Sequence, residues 1–286
     1  MTGILVIGGA NLDIKAKTLA SHIDATSNPA HIVTKAGGVA RNIAHNLARL
    51  GAKVQLVTAL GNGPEAELIL AETNAAGVDT RRVIRSSKAT GTYIAVLDHS
   101  GELVTAVNDM EILETLTSAL IHSLKTVIAG SQYIVADCNL PVETLQALAE
   151  LCADKLIIEP VSVPKSQKLL VLLEHHEIFL ATPNIDQLEA LTGTRDIDQG
   201  ARTLFDLGLS NVIIHAGEQG AYTFDGQNLT HSASQAKTVV DVTGAGDAAT
   251  AGLIAGLAEN LPLAKAAELG QKAASQVIAS ESSTLP

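Results

Sequence analysis

Short apolar runs alternate with stretches of helical spacing along most of this chain. Ile4 to Ile7 reads as a buried strand that ends in Gly8-Gly9. Ile43, Leu47 and Leu50 recur at i, i+4 and i+7 behind Ala36-Gly37-Gly38, a helix face that Gly51 stops. Lys53 to Leu60 has strand character, and Pro64 to Ala76 reads as a helix with proline in its first turn and Gly77 at its end. From Tyr133 the rhythm is regular. Strands are expected at Tyr133 to Ala136, Leu156 to Glu159, Ile178 to Ala181 and Val212 to His215, with helices from Val142, from Ser166 and over Asn184 to Thr192. Such alternation predicts an α/β fold, a doubly wound and mostly parallel sheet with helices on both faces.

Two segments interrupt the pattern. Residues 15 to 35 are polar and weakly patterned, with a turn at Ser27-Asn28-Pro29, and read as an excursion away from the sheet. Thr90 to Leu97 and Glu102 to Val107, joined around His99-Ser100-Gly101, read as a hairpin that ends at Asn108-Asp109-Met110. The segments near 12–35 and 86–109 are expected to pair as a small β lid on a single domain spanning 1–286. Two helices, Leu263 to Leu269 and Lys272 to Ala279, are expected at the C-terminus.

The densest chemistry lies late in the chain. The β-branched residues Thr238 to Val240 are expected to form a strand feeding Asp241-Val242-Thr243-Gly244-Ala245-Gly246-Asp247, which opens into the small-residue run Ala248 to Gly256. Unpaired N–H groups in a first helical turn, with the positive end of the helix dipole, favour negative charge. A carboxylate beside an anion cradle is unfavourable unless it takes a proton, which makes Asp247 a candidate general base at a phosphoryl-transfer site. The motif alone fits a tight turn with a capping Asp equally well. Asn42 is either a solvated amide or a group aimed at a hydroxylated ligand. Gly217 and Gly220 are either ordinary turn residues or backbone clearance for a nucleotide. Asn11 and Asp13 follow Gly8-Gly9, where strand ends of open α/β sheets present ligands; without the full glycine fingerprint or a helix behind it, that turn argues against a dehydrogenase.

Composition narrows the partners. A formal charge of -11 argues against non-specific nucleic-acid binding, and three Phe, three Tyr and no Trp leave few stacking platforms. The two cysteines, Cys138 and Cys152, have neither metal nor disulfide spacing. No signal peptide and no membrane-spanning apolar run is visible, so a cytoplasmic location without a membrane partner is expected.

Ala36-Gly37-Gly38-Val39-Ala40-Arg41-Asn42 and the stretch Asp241 to Asp247, in this order, resemble the two signatures of the ribokinase-like (PfkB) carbohydrate kinase family. Pro183-Asn184 and the Gly217/Gly220 turn fall where that family places phosphate and nucleotide contacts. Ser27-Asn28-Pro29, Asn108-Asp109-Met110, Val135-Ala136-Asp137-Cys138-Asn139 and Pro160-Val161-Ser162 resemble its pseudouridine-kinase branch. The resemblance implies ATP-dependent phosphorylation of a ribosyl 5′-hydroxyl, with pseudouridine as acceptor and ribose, adenosine or uridine as alternatives. It implies Asp247 as base and the Gly244, Ala245 and Gly246 amides as anion hole. Substrate contacts would come from Asn11, Asp13, Gly38, Asn42, Asn108, Asp137 and Asn139, and nucleotide contacts from Asn184, Gly217, Gly220 and Thr243. It further implies Mg²⁺, a K⁺ site on the loop of Asp241 and Thr243 and the C-terminal segment, and a homodimer formed through the lid. A catalytically silent ligand sensor on the same fold is the competing class. The sequence departs from the family in three places. Gln187 replaces the Glu of an Asn-x-x-Glu motif, which makes Glu189 the candidate for Mg²⁺. His215-Ala216 precedes the nucleotide turn where a hydroxyl residue is common, and Glu159 replaces an Asp before Pro160.

Overall fold

The computed structural model describes residues 3–286. In chain order the strands are β1 (Ile4–Ile7), β2 (Asn11–Thr18), β3 (Ala30–Gly37), β4 (Val54–Val57), β5 (Ala59–Leu60), β6 (Ile84–Arg85), β7 (Thr92–Leu97) and β8 (Leu103–Asp109). They continue as β9 (Tyr133–Asp137), β10 (Leu156–Glu159), β11 (Leu180–Ala181), β12 (Val212–His215), β13 (Ala221–Phe224) and β14 (Leu229–Ser232). The helices are α1 (Val39–Arg49), α2 (Pro64–Ala75), α3 (Ser118–Ser123), α4 (Lys125–Gly130), α5 (Val142–Cys152), α6 (Val163–Leu173), α7 (Ile185–Thr192), α8 (Ile197–Asp206), α9 (Ala245–Ala258) and α10 (Leu263–Ile278). Among the described residues no helix is long and apolar enough to cross a membrane.

The main sheet has eight strands in the order β14-β13-β12-β11-β10-β9-β1-β4. It is parallel from β4 to β12 and antiparallel at β13 and β14. Both of its faces are dry, because successive side chains point to opposite sides. Leu5 and Ile7 enter one core cluster with Ile134, Ile158 and residues of α5 to α8. Ile4 and Val6 enter another with Val135, Ile157 and residues of α1, α9 and α10. All the parallel strands end at the same edge, where Asp137, Glu159 and His215 are terminal residues and α1 and α9 begin.

A second sheet, β3-β2-β7-β8, is drawn from the two segments that interrupt the sequence rhythm. Residues 15 to 35 depart from expectation here, because β2 and β3 form a full antiparallel ladder from Asn11↔Gly37 to Thr18↔Ala30. Strand periodicity is faint in them since one face meets polar groups of the cleft and much of β3 is exposed. The turn falls at residues 24–25. Asn28 instead bridges back, accepting from the Ile23 N–H at 2.9 Å and donating to the Ile23 carbonyl at 2.8 Å.

Three other expectations are corrected. Lys53 to Leu60 is split into β4 and β5, which pair with different partners. Residues 238–240 make no strand, and Val239 and Val240 are exposed. The two expected C-terminal helices are one, α10, and Gly270 lies at its crossing with α9 and does not end it. A Cβ on Gly270 would stand 2.5 Å from the Ala249 carbonyl oxygen, and one on Gly252 would stand 2.6 Å from that of Leu269. The small-residue run of α9 is thus explained by backbone-to-backbone packing. Gly270→Val is expected to cost about 1–3 kcal/mol of stability through overpacking. Urea unfolding reads this as a lower midpoint at unchanged slope, and an unchanged midpoint would contradict the close crossing.

Candidate active site

The floor of the cleft is tied together by one buried carboxylate. Asp137 Oδ2 accepts the N–H groups of Gly9 at 2.8 Å and Ala40 at 3.0 Å, and its Oδ1 accepts that of Asn139 at 3.0 Å. These bonds join the end of β1, the first turn of α1 and the end of β9. Burial, only partly offset by these donors, pushes the carboxyl above its usual range. Asp137 is 1% exposed and both its oxygens are engaged, so it supports the floor and is not the substrate contact expected from sequence. Asn139, beside it, is partly exposed, and its Oδ1 accepts from Lys165 Nζ at 2.5 Å. Lys165, on α6, was not anticipated by any motif.

Asn11 and Asp13 begin β2, and Asn11 Nδ2 donates to Asp13 Oδ1 at 2.5 Å. Gly37 gives the Asp13 carboxylate its place, since a Cβ there would come within 2.1 Å of Oδ2. Gly38, with φ 100°, lets the chain turn from β3 into α1 against the Gly9 carbonyl. Strand register puts Lys35, Asp13, Tyr93 and Asn108 in one row across the second sheet, on one face. Asn108 is the exposed end of that row.

Asn42 joins the two glycine signatures. Its Nδ2 donates to Asp247 Oδ2 at 2.9 Å, while Arg41, 1% exposed, donates from Nη1 to Asn42 Oδ1 at 3.3 Å and so fixes which end of the amide meets the carboxylate. Asp247 sits in the first turn of α9 and is partly open to the cleft. Burial first, then the nearby Glu159, Asp137 and Asp13 carboxylates, hold its carboxyl well above the ordinary range against the Asn42 hydrogen bond. A carboxylate tuned in this direction is a stronger proton acceptor.

The turn before α9 is an open cradle. Gly244 adopts φ 80°, and the Ser283 carbonyl oxygen lies 2.1 Å from where its Cβ would be, so only glycine fits. The Ala245 N–H is turned back onto the Val242 carbonyl at 3.2 Å. Among the described residues the N–H groups of Gly244, Gly246 and Asp247 have no acceptor. The open N–H groups of the cradle are therefore those of Gly244, Gly246 and Asp247, and that of Ala245, expected from sequence to be among them, is turned away. A Cβ on Gly246 would meet nothing within 4 Å, which leaves clearance for a ligand. Alongside runs a cleft of about 580 Å³, walled by Val239, Val242, Ala249 and Ile278 and reaching Gly217 and Gly220. Val242, 67% exposed, presents apolar surface to it, which is informative in a side chain of this size. Thr243 donates both N–H and O–H to Asp241 Oδ1, at 2.9 and 2.7 Å.

Beneath Asp247 lies a buried polar chain. Glu159 accepts from Thr182 at 2.6 Å, from the Val161 N–H at 3.2 Å and from Thr250 at 3.4 Å, and Thr250 meets His215 Nε2 at 3.3 Å. Burial, reinforced by Asp137, raises the Glu159 carboxyl to about 7 despite these donors, and burial lowers His215 to about 4. Asn184 and Gln187 form a reciprocal capping box on α7, each side chain 2.9 Å from the other's backbone N–H. Gln187 thus serves helix geometry. Glu189 is drawn to solvent, 2.6 Å from Arg195, which also holds Asp186; the structure does not bring it to the cradle as expected.

Glu159 takes up its proton near pH 7 when folded and near 4.5 when unfolded. Its contribution to stability is fully present below the lower value and is lost as pH rises through the higher one. Glu159→Gln is therefore expected to gain on the wild type between about pH 5 and pH 8, by about 3 kcal/mol at most. Paired urea melts at the two pH values measure the change, and a pH-independent difference would contradict the buried setting.

The whole chain, residues 1–286, matches the profile of the pfkB family carbohydrate kinases. A pseudouridine kinase of Escherichia coli (strain K12) is 33% identical over 291 residues, covering 99% of this chain and 92% of its own length. A carbohydrate kinase from Agrobacterium tumefaciens has a solved structure with TM-score 0.84 at 30% identity, covering 99% of this chain and 93% of its own. The ribokinase of Thermotoga maritima, at 23% identity, shares the fold with TM-score 0.88 over 99% of this chain and 95% of its own. With its ribokinase-like fold, this chain belongs to the pfkB family of carbohydrate kinases, phosphotransferases acting on an alcohol group of a sugar or nucleoside.

Proposed function

We propose that this protein is an ATP-dependent kinase that phosphorylates the 5′-hydroxyl of pseudouridine. The observation that carries the reading is the 2.9 Å hydrogen bond from Asn42 to Asp247, which joins an amide of the first glycine signature to a carboxyl raised by burial at the mouth of an open cradle of amides. The 33% identical pseudouridine kinase supports the acceptor.

In this reading Asn11, Asp13 and Asn42 hold the ribose hydroxyls, and Gly38 gives them room. Asn139 and Asn108 lie toward the base. The nucleotide occupies the cleft beside Val242 and Ile278, passing Asn184, Gly217 and Gly220, with its γ-phosphate over the Gly244, Gly246 and Asp247 amides. Asp247 takes the proton of the attacking hydroxyl, and the amides stabilise the charge that develops on the transferred group. The second sheet acts as a lid that excludes water from the phosphoryl group. Among the described residues no group of three or more His, Cys, Asp or Glu side chains is placed to cage a metal, so Mg²⁺ would arrive on the nucleotide's phosphates.

An ATP-consumption screen over pseudouridine, uridine, adenosine, ribose and fructose tests the acceptor. Wild type should prefer pseudouridine, and Asp247→Asn should bind it yet lose about 10² to 10⁴ in kcat. Preference for uridine or ribose would replace the acceptor, and normal turnover by the variant would remove Asp247 as base.

The outer face of the lid supports a homodimer. Ile14, Ile94 and Val107 share one row and Ile32 and Val96 the next, with Ile32 67% and Val107 58% exposed. Light scattering at micromolar concentration should give twice the chain mass, and a monomer would oppose this assembly.

A further inference from the structure

We infer that Lys15 and Lys35, two lysines of the lid, take the place of a bound monovalent cation at the anion loop, so that phosphoryl transfer in this protein proceeds without potassium. The family resemblance assigns such an ion to the loop of Asp241 and Thr243 and to the C-terminal segment. The residues present do not fit one. Asp241 Oδ2 is 2.6 Å from Lys15 Nζ, and Asp241 Oδ1 already accepts two donors from Thr243. Burial acting alone would raise this carboxyl; Lys15 and Thr243 outweigh it and hold it at about 2. On the other limb of the site, the Glu281 carbonyl accepts from Lys35 Nζ at 2.8 Å. A further cation would meet two ammonium groups where it needs ligands.

The lid is built to deliver both. Lys15 stands opposite Val33 and Lys35 opposite Asp13 in the antiparallel ladder, so the two lysines are diagonal neighbours on the cleft face. Their two targets form a collar around the cradle. The Val240 N–H donates to the Ile278 carbonyl at 2.8 Å, and the Ser283 carbonyl packs against Gly244. Lys15 and Lys35 are positioning residues. They act on the Gly244 and Gly246 amides through Asp241 and Glu281, and their charge reaches the collar only while the lid lies over the cleft. Lys15 is 43% exposed, and an ion pair of that exposure adds little to stability, so turnover is where its loss should register.

The test uses chloride salts of tetramethylammonium, sodium and potassium at one ionic strength, with whichever acceptor the screen yields. Wild type should turn over equally in all three, within about twofold, whereas Lys15→Met should lose about tenfold or more in kcat in tetramethylammonium with KM for ATP nearly unchanged. Potassium should restore most of that loss, and Lys15→Arg should keep most of the activity. A melting comparison needs no acceptor and reads the ion site even if every acceptor in the screen fails. Wild type should melt at one temperature in potassium and tetramethylammonium, and Lys15→Met should melt higher in potassium. Severalfold activation of wild type by potassium, a potassium-specific rise in its melting temperature, or full kcat of Lys15→Met in tetramethylammonium would each overturn the inference.

Discussion

The site depends on a single buried carboxylate. Asp137 gathers backbone N–H groups from three segments far apart in the chain, and each would be an unsatisfied donor at the edge of the sheet without it. Removing such an acceptor costs more than the bonds contribute, because the donors remain buried. The consequence is positional. The Ala40 N–H fixes the first turn of α1, and two residues later Asn42 is carried to Asp247. The helix that bears Asp247 and the helix that bears Asn42 are thereby set against each other from below.

Negative charge is concentrated to an unusual degree. Asp13, Asp137, Glu159 and Asp247 all have carboxyls raised by burial. Such a cluster would repel a polyphosphate if it stood bare. Here the open amides at the start of α9, the buried Arg41 near Asp13, and Lys15 on Asp241 supply positive potential beside the carboxylates. Burial first, and then repulsion among the carboxylates, makes a proton welcome at Asp247. Glu159 adds to this from beneath through its field and through Thr250, one helical turn along from Asp247.

Much of this was legible in the sequence, and what was not has physical reasons. The strand–helix alternation, the Gly37-Gly38 turn and the late glycine cradle could be read because periodicity and glycine placement are local properties. The ladder of β2 and β3 was hidden because a strand with one face on a polar cleft loses its alternation. The unity of α10 was hidden because Gly270 looks like a stop until the facing helix is known. Asp137 is expected as a substrate contact only through the family resemblance, and the three-segment geometry shows where its lone pairs go. Glu189 was chosen for its charge, and Arg195 sits six residues beyond it with the stronger claim. Lys15, Lys35 and Lys165 carry no motif, since a lysine in a polar stretch reads as solvated until its partner, which lies far away in sequence, is placed.

The two ends of the cleft therefore differ in how firmly the backbone dictates them. The end at α9 is backbone chemistry, with helix-start amides and a glycine that admits no Cβ. The end at Asn139 is side-chain chemistry, and there Lys165 has a defined effect. By donating to Asn139 Oδ1 it fixes the amide orientation and turns Nδ2 toward the Asp137 carboxylate and Gly9, where a Cβ would stand 3.0 Å from it.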